Sequence, residues 1–203
     1  YVFKIIAATS TAPVAERLRT GEFTLARISP EELQQVEGQA QLRVVSYPEL
    51  LYVYIGWNVR SQTAPALADR RVRQALAFGF DWDALIKERL FGQATRMVSH
   101  DPPTSWASPT ANLEQYAFDQ ARARQLLESA GYARGADGFY AKEGTPLEFT
   151  LAAVSGNKVF EAVLQVATDQ YRQIGVRVRP SLQQRESLNN KLATGSQEIE
   201  AWV

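Results

Sequence analysis

The sequence contains no cysteine and only one histidine among its 203 residues. The absence of cysteine excludes disulfide bonds, thiolate zinc sites, iron–sulfur clusters and cysteine nucleophiles. The single imidazole, His100, leaves little room for histidine-based metal binding or acid–base catalysis. Several kinds of catalytic centre are therefore excluded before any motif is considered.

An excess charge of either sign is also missing, because 22 Lys and Arg residues are matched by 22 Asp and Glu residues. Nucleic-acid binders need a cluster of unmatched cations along one face, and no such basic stripe is present. No apolar run approaches the roughly 18 to 20 residues that span a bilayer. With 45% hydrophobic residues, the composition is that of a globular domain, or of one domain and part of another.

Polar ends are missing as well. The first residues, Tyr1, Val2 and Phe3, and the last, Trp202 and Val203, lie in apolar runs. The termini of native chains are usually polar and frayed. We therefore expect the sequence to be a piece of a longer protein.

The first third of the sequence predicts short alternating elements. Apolar and alternating runs predict strands at 1–7, 23–28, 43–45 and 51–57. Two helices lie between them, one over 12–19 and one that begins at Pro30 with Ser29 as its N-cap. The polar stretch 60–68 then separates this strand-rich opening from a helix-rich remainder, and it is the candidate domain boundary.

The remainder of the sequence predicts five helices, from apolar spacing and from cap residues. They cover 69–80, 82–91, the residues between Asp119 and Gly131, 160–174 and 182–192. Asp81 is placed to cap the second of these helices, so Asp81 and Asp83 are poor candidates for a metal site. The proline-containing stretch 92–112 is predicted to be an extended surface loop.

Strands are predicted between these helices at 147–151, 176–179 and 199–203. Turn signals within 137–144 flank a further short β segment. The strand–helix–strand order over 147–179 favours a parallel pair with a right-handed crossover. The predicted fold class is therefore α/β, in a mixed α+β form.

Catalytic and phosphate-binding motifs are missing. Ser99, His100 and Asp101 are triad residue types, but a triad converges from separate elements and these three residues are consecutive. Neither glycine pattern that cradles a nucleotide phosphate is present. The basic cluster at 70–73 is interpreted as a solvated face paired with nearby acids, with an anion site as the alternative. Paired carboxylates of a hydrolase stay open, because tertiary structure assembles such pairs.

Five segments in a fixed order carry a resemblance to a known family. They read YIGWN (54–58), DRRVRQALAFGFDWDALIKERLFGQAT (69–95), YAFDQARARQLLESAGY (116–132), DGFYAKEGTPLEFTLAA (137–153) and QYRQIGVRVRP (170–180). Their order resembles that of the family 5 extracytoplasmic solute-binding proteins, the peptide- and nickel-binding group of ABC importers. The most specific parts are the VRQAL helix with its Asp-capped successor and the later ARxLLxxAGY pattern.

The resemblance implies a periplasmic-binding-protein-like fold of type II, which is a two-lobed receptor that closes on its solute. By this resemblance, residues 1–57 correspond to the end of the first lobe and a crossover strand. Residues 58–203 correspond to an incomplete second lobe.

The same resemblance implies a function. The receptor captures oligopeptides or dipeptides between its lobes and delivers them to the permease subunits of an ABC importer. It is a monomer outside the cytoplasm, periplasmic or at the cell surface, and is held at the membrane by the transporter or by a lipid anchor. It needs no cofactor and is not an enzyme. The alternatives are nickel complexes or oligosaccharides as solutes, a carboxylate-dependent hydrolase, and a signalling role through a membrane sensor.

The resemblance also implies a set of solute-contacting residues, and no catalytic or metal-binding ones. They lie in the loop after the strand at 147–153, on the helix that follows the next strand, and near the last strand. These residues are Ser155, Gly156, Asn157, Gln183, Arg185, Asn189 and Trp202. Residues 155–157 also precede a strong helix, so capping that helix is the alternative role for them.

Overall fold

A computed structural model describes residues 13–28, 30–47, 51–103, 105–108, 113–195 and 198–203. The described helices are α1 (Val14–Arg19), α2 (Pro30–Val36), α3 (Arg70–Phe78), α4 (Trp82–Arg89), α5 (Gln120–Ser129), α6 (Lys158–Gln173), α7 (Arg185–Ala193) and a 3-10 helix (Pro65–Ala68). The described strands are β1 (Gly56–Trp57), β2 (Ala133–Arg134), β3 (Tyr140–Lys142), β4 (Thr145–Pro146), β5 (Glu148–Val154), β6 (Arg177–Gln183) and β7 (Ala201–Trp202).

The described residues near the start of the chain form fewer strands than the sequence predicted. The strand predictions at 23–28 and 43–45 are wrong, because these residues pair with no strand in the described part of the chain. The predicted strand 51–57 is reduced to β1, since its partner β7 is itself only two residues long. The predicted strand at 1–7 and the Ser29 cap lie outside the described residues.

Aspartate caps fix the starts of three helices. The caps Asp81 and Asp119 were predicted, whereas Asp69 was predicted as the first residue of its helix and instead caps it. The Oδ1 atom of Asp69 accepts a hydrogen bond from the Arg71 amide at 2.8 Å. Asp81 and Asp119 do the same for the amides of α4 and α5, at 2.9 and 2.8 Å. These bonds satisfy amide groups that have no partner inside a helix.

The main sheet has four strands in the order β1-β7-β5-β6. β5 runs parallel to both of its neighbours, and β1 runs antiparallel to β7. The predicted parallel pair is therefore confirmed. The predicted helix 182–192 starts late, at Arg185, because the preceding residues continue β6 in register with β5 as far as Gln183. The predicted β segment lies in a separate antiparallel sheet of order β2-β3-β4.

Side chains of β5 alternate between two hydrophobic cores. Phe149, Leu151 and Ala153 belong to the larger core, which also contains buried residues of α3, α5 and α6. Ala152 and Val154 point to the other face, where they cluster with residues of α7 and with Ile199, which lies two residues before β7. Successive residues of a strand face opposite sides of the sheet, so this half of β5 is covered on both faces.

The stretch between β1 and α3 packs on the larger core. Ala64 and Leu67 are buried in that core, and Ser61 is also buried. The Ser61 hydroxyl oxygen accepts a hydrogen bond from the Ala64 amide at 3.1 Å, which satisfies a buried polar group. Residues 60–68 thus attach β1 firmly to the helices that follow.

Replacing Leu151 by Ala should lower the free energy of unfolding of the full-length protein by about 2 to 5 kcal/mol, because a fully buried leucine leaves a cavity. The matched control is Leu182→Ala in the neighbouring strand, where the side chain is 55% exposed. That change should cost less than about 1 kcal/mol. Urea unfolding followed by circular dichroism measures both, and equal losses would contradict the described packing.

Candidate functional site

Three parallel strands of the main sheet end at one edge, and the predicted solute-contacting residues lie at that edge or on the helix that starts there. Val154, at the end of β5, lies opposite Gln183 of β6. Trp202 of β7 lies opposite Ala152. Ligands of open α/β sheets bind outside the carboxyl ends of the strands. We refer to residues 154–157, 183–185 and 202 as the carboxyl edge.

The loop after β5 is fixed by hydrogen bonds within the edge. The Ser155 amide donates to the Gln183 carbonyl at 2.9 Å, and its hydroxyl donates to the same oxygen at 3.2 Å. The Asn157 side-chain oxygen accepts from the amides of Val159 and Phe160 at 3.1 and 3.2 Å. The capping role predicted as the alternative is therefore confirmed for Asn157.

Gly156 is held by an acid on the helix that follows. Its amide donates to Oε1 of Glu161 at 2.8 Å. This hydrogen bond is the largest cause that lowers the pKa of Glu161, and the ammonium of Lys158, 3.4 Å from Oε2, acts in the same direction. The loop conformation is thus tied to an ionised carboxylate.

Gln183 presents an acceptor that nothing in the described part of the chain satisfies. Its Nε2 atom donates to the Ser181 hydroxyl at 3.3 Å. Its Oε1 atom is buried and has no hydrogen-bond partner. A buried acceptor without a donor is costly, so this oxygen favours any arrangement of the side chain that supplies it with a donor.

Arg185 and Asn189 are exposed on α7 and lie four residues apart, so they share one side of the helix. Among the described residues, neither side chain has a hydrogen-bond or ion-pair partner. The two arginines of β6 differ, because Arg177 pairs with Asp137 and Arg179 lies 3.1 Å from a carboxylate oxygen of Glu148. Arg185 is therefore a cation available at the carboxyl edge.

Trp202 is partly buried and forms an apolar wall beside these polar groups. Its indole packs on the smaller core, against the cluster that contains Val154 and Leu188. An aromatic ring in such a position offers apolar contact area together with one N–H donor.

Glu200 and Asn58 hold the last strand in place, and neither is among the predicted solute-contacting residues. The Glu200 carboxylate is buried and accepts from the Thr150 amide, while Arg179 lies 3.7 Å away. Asn58 donates its amide to the Glu200 carbonyl at 2.8 Å and its side chain to the Ile199 carbonyl at 2.7 Å. The only sequence signal for Glu200 is a charged residue inside the apolar run IEAWV.

Other polar groups singled out in the sequence form no reactive centre. His100 Nε2 lies 3.2 Å from Asp101, but the Ser99 hydroxyl donates to the Asp101 backbone carbonyl at 3.0 Å and not to the imidazole. These residues lie in a loop, as predicted. No group of three or more potential metal ligands occurs among the described residues.

Two arginines of the basic cluster at 70–73, Arg71 and Arg73, are engaged locally. Arg71 pairs with Asp69 at 2.7 Å and donates to the Ser129 carbonyl at 2.6 Å. The hydrogen bond from Arg71 lowers the pKa of the Asp69 carboxyl. Arg73 donates to the Leu67 carbonyl at 2.8 Å. The interpretation of Arg71 as an arginine paired with a nearby acid is confirmed.

Comparison with known proteins places this architecture in the class of extracellular solute-binding proteins. Residues 2–199 match the family described as bacterial extracellular solute-binding proteins, family 5 middle. The chain belongs to this family, and the family resemblance drawn from the sequence is confirmed.

Individual relatives are binding proteins of greater length. The chain is 28% identical to the oligopeptide-binding protein AppA of Bacillus subtilis over 203 residues, which are 99% of this chain and 36% of that protein. It is 31% identical to the glutathione-binding protein GsiB of Pectobacterium atrosepticum over 166 residues, 81% of this chain and 29% of that protein. The chain thus spans about a third of the length of these relatives.

Solved structures agree on the fold. The structure of AppA from Bacillus subtilis in complex with a nonapeptide superposes with a TM-score of 0.82 and 27% identity, over 93% of this chain and 37% of that one. NikZ from Campylobacter jejuni in complex with Ni(L-His) gives a TM-score of 0.77 at 23% identity, over 93% of this chain and 36% of that one. The predicted mixed α/β, periplasmic-binding-protein-like fold is confirmed.

The contact between Gly156 and Glu161 should respond to pH. Because the pKa of Glu161 is depressed in the folded chain, the contact is present at neutral pH and is lost as the pH falls through that depressed value. The amide resonance of Gly156, followed by NMR in protein labelled with ¹⁵N-glycine, should therefore titrate with a midpoint below the ordinary glutamate value.

Glu161→Gln should abolish this titration, while Glu186→Gln in the first turn of α7 should leave it unchanged. A Gly156 resonance that titrates identically in the Glu161→Gln variant would contradict the assignment of the contact.

Proposed function

We propose that this chain is part of the solute receptor of an ABC importer, which captures oligopeptides or dipeptides between two lobes and delivers them to permease subunits. The observation that carries the proposal is the match to the solute-binding family over residues 2–199. It is supported by the likeness to AppA, an oligopeptide-binding protein, along 99% of this chain.

The proposal includes an arrangement of lobes and a location. Residues 1–57 form the end of the first lobe and a crossover strand, and residues 58–203 form an incomplete second lobe. The receptor is a monomer in the periplasm or at the cell surface, held at the membrane by its transporter or by a lipid anchor. Among the described helices, none combines the length and the apolar character of a membrane span.

The carboxyl edge supports binding in preference to catalysis. A receptor needs a concave polar surface on a rigid scaffold, but neither a nucleophile nor a tuned acid. The described edge supplies hydrogen-bond partners and an indole on fixed strands, and its acid, Glu161, is already engaged with Gly156. The family is one of solute-binding proteins, and we propose that this chain has no enzymatic activity of its own.

Each predicted residue has a proposed role that its surroundings allow. The Gln183 side chain turns its oxygen toward the solute and accepts an N–H from the peptide backbone, since that oxygen has no partner in the described part of the chain. Arg185 pairs with a carboxylate of the peptide, and Asn189 adds an amide on the same side of α7. Trp202 packs against a peptide side chain.

The remaining three predicted residues form the turn that leads from β5 into α6. The backbone of Ser155, Gly156 and Asn157 forms the turn between β5 and that helix, and their bonds within the protein hold the turn rigid. We propose that the solute contacts the outer surface of this turn. Rigid placement reduces the entropy lost when the solute binds.

Arg185→Gln in the full-length protein should weaken the binding of a peptide with a free carboxyl terminus by about tenfold, because a charge-assisted hydrogen bond is removed. The same peptide with an amidated terminus should bind wild type and variant equally. Arg172→Gln is the matched control, since Arg172 is an exposed arginine in the last turn of α6, at the opposite edge of the sheet. Isothermal titration calorimetry measures all six combinations of protein and peptide.

The same measurements test the proposed solute class. Peptide binding by wild type supports the proposal. Binding of a nickel–histidine complex or an oligosaccharide, with no heat from any peptide, overturns the solute class. Peptide cleavage that is lost when the cleft carboxylates are replaced overturns the assignment as a receptor without enzymatic activity.

A further inference from the structure

The indole of Trp202 lies directly on the backbone of Gly56. The two residues face each other in the antiparallel pair of β1 and β7. A Cβ atom placed on Gly56 comes within 2.3 Å of Cε2, 2.4 Å of Cζ2 and 2.8 Å of Nε1 of the indole. Carbon atoms in favourable contact lie about 3.5 to 4.0 Å apart. No residue other than glycine therefore fits at position 56 while the indole keeps its place.

Strand β1 cannot retreat to make room, because its next two residues are anchored. Trp57 packs edge-on against Phe149 in the larger core, with ring centroids 5.5 Å apart. Asn58 donates two hydrogen bonds to the carbonyls of the two residues before β7, to Glu200 at 2.8 Å and to Ile199 at 2.7 Å. Because successive residues of a strand face opposite sides, anchoring Trp57 in the larger core directs position 56 toward the Trp202 face.

The Trp202 side chain is partly buried. It packs on the smaller core, which contains Leu188 of α7 and Ile199, both buried. Because the indole occupies the volume that a methyl group on Gly56 would need, that group would displace the indole, and with it the apolar surface proposed to contact the solute.

We infer that Gly56 is a positioning residue for the solute site: the absence of a side chain lets the Trp202 indole lie against β1 and so fixes the place of the apolar surface that the solute contacts. The inference rests on the proposed function in one respect, the contact between Trp202 and the solute. The glycine acts through the indole and does not itself touch the solute.

The experiment uses full-length protein labelled with 5-fluorotryptophan, in which the ¹⁹F resonance of Trp202 is assigned by its loss in Trp202→Ala. Gly56→Ala should move that resonance and leave that of Trp82 unchanged. It should also raise the dissociation constant for the best-bound peptide by about tenfold, because a displaced tryptophan is an interface hot spot. In the Trp202→Ala background, Gly56→Ala should change the dissociation constant no further.

The matched control is Gly79→Ala, which also introduces a crowded Cβ atom, 2.6 Å from Cδ1 of the buried Ile174. Gly79 has an ordinary φ of −78°, so the substitution tests packing alone. This variant should lower the melting temperature without moving the Trp202 resonance or weakening the peptide. General destabilisation is thereby distinguished from displacement of the indole.

An unmoved Trp202 resonance with unchanged affinity in Gly56→Ala would overturn the inference, as would an equal loss of affinity in the Trp202→Ala background. If Gly56→Ala does not fold, adding Trp202→Ala must restore the melting temperature of Trp202→Ala alone, and failure to do so overturns the inference too. If wild type binds no peptide, the proposed function fails. The Trp202 resonance and the melting temperatures still decide whether Gly56 determines the position of the Trp202 indole.

Discussion

Parallel pairing of β5 with a strand on each side is the constraint on which the rest of the structure depends. It brings the ends of three strands to one edge, and it requires both faces of the sheet to be covered. The α6 helix and its neighbours cover one face of β5, and α7 covers the other near the carboxyl edge. The same pairing thus creates the core and the site together.

The weakest part of this arrangement is the short last strand, and polar residues compensate for its length. β7 has two residues, so few ladder hydrogen bonds hold it. The buried carboxylate of Glu200 bonds to the Thr150 amide, and Asn58 bonds to the carbonyls of Ile199 and Glu200. These contacts fix the register that places Trp202 opposite Gly56. The hydrogen bonds of these two residues thus compensate for the small number of ladder hydrogen bonds.

Features governed by neighbouring residues were predictable from the sequence. The caps at Asp81 and Asp119 depend on an aspartate and the amide three residues later, so their positions were predicted correctly. The strand predictions at 23–28 and 43–45 failed because a strand also needs a partner, and apolar pattern alone does not supply one. The start of α7 was misplaced for the same reason, since pairing with β5 extends β6 to Gln183.

The sequence by itself determined the family, the mixed α/β class, the helix caps and the set of residues at the carboxyl edge as an expectation from resemblance. Only the tertiary structure decided which of those residues are already engaged, as Asn157 is in its cap, and which remain available, as Arg185 does among the described residues. It alone revealed Gly56 beneath the indole. The physical reason is distance along the chain: caps and periodicity are local, whereas Gly56 and Trp202 meet only because strand pairing joins them.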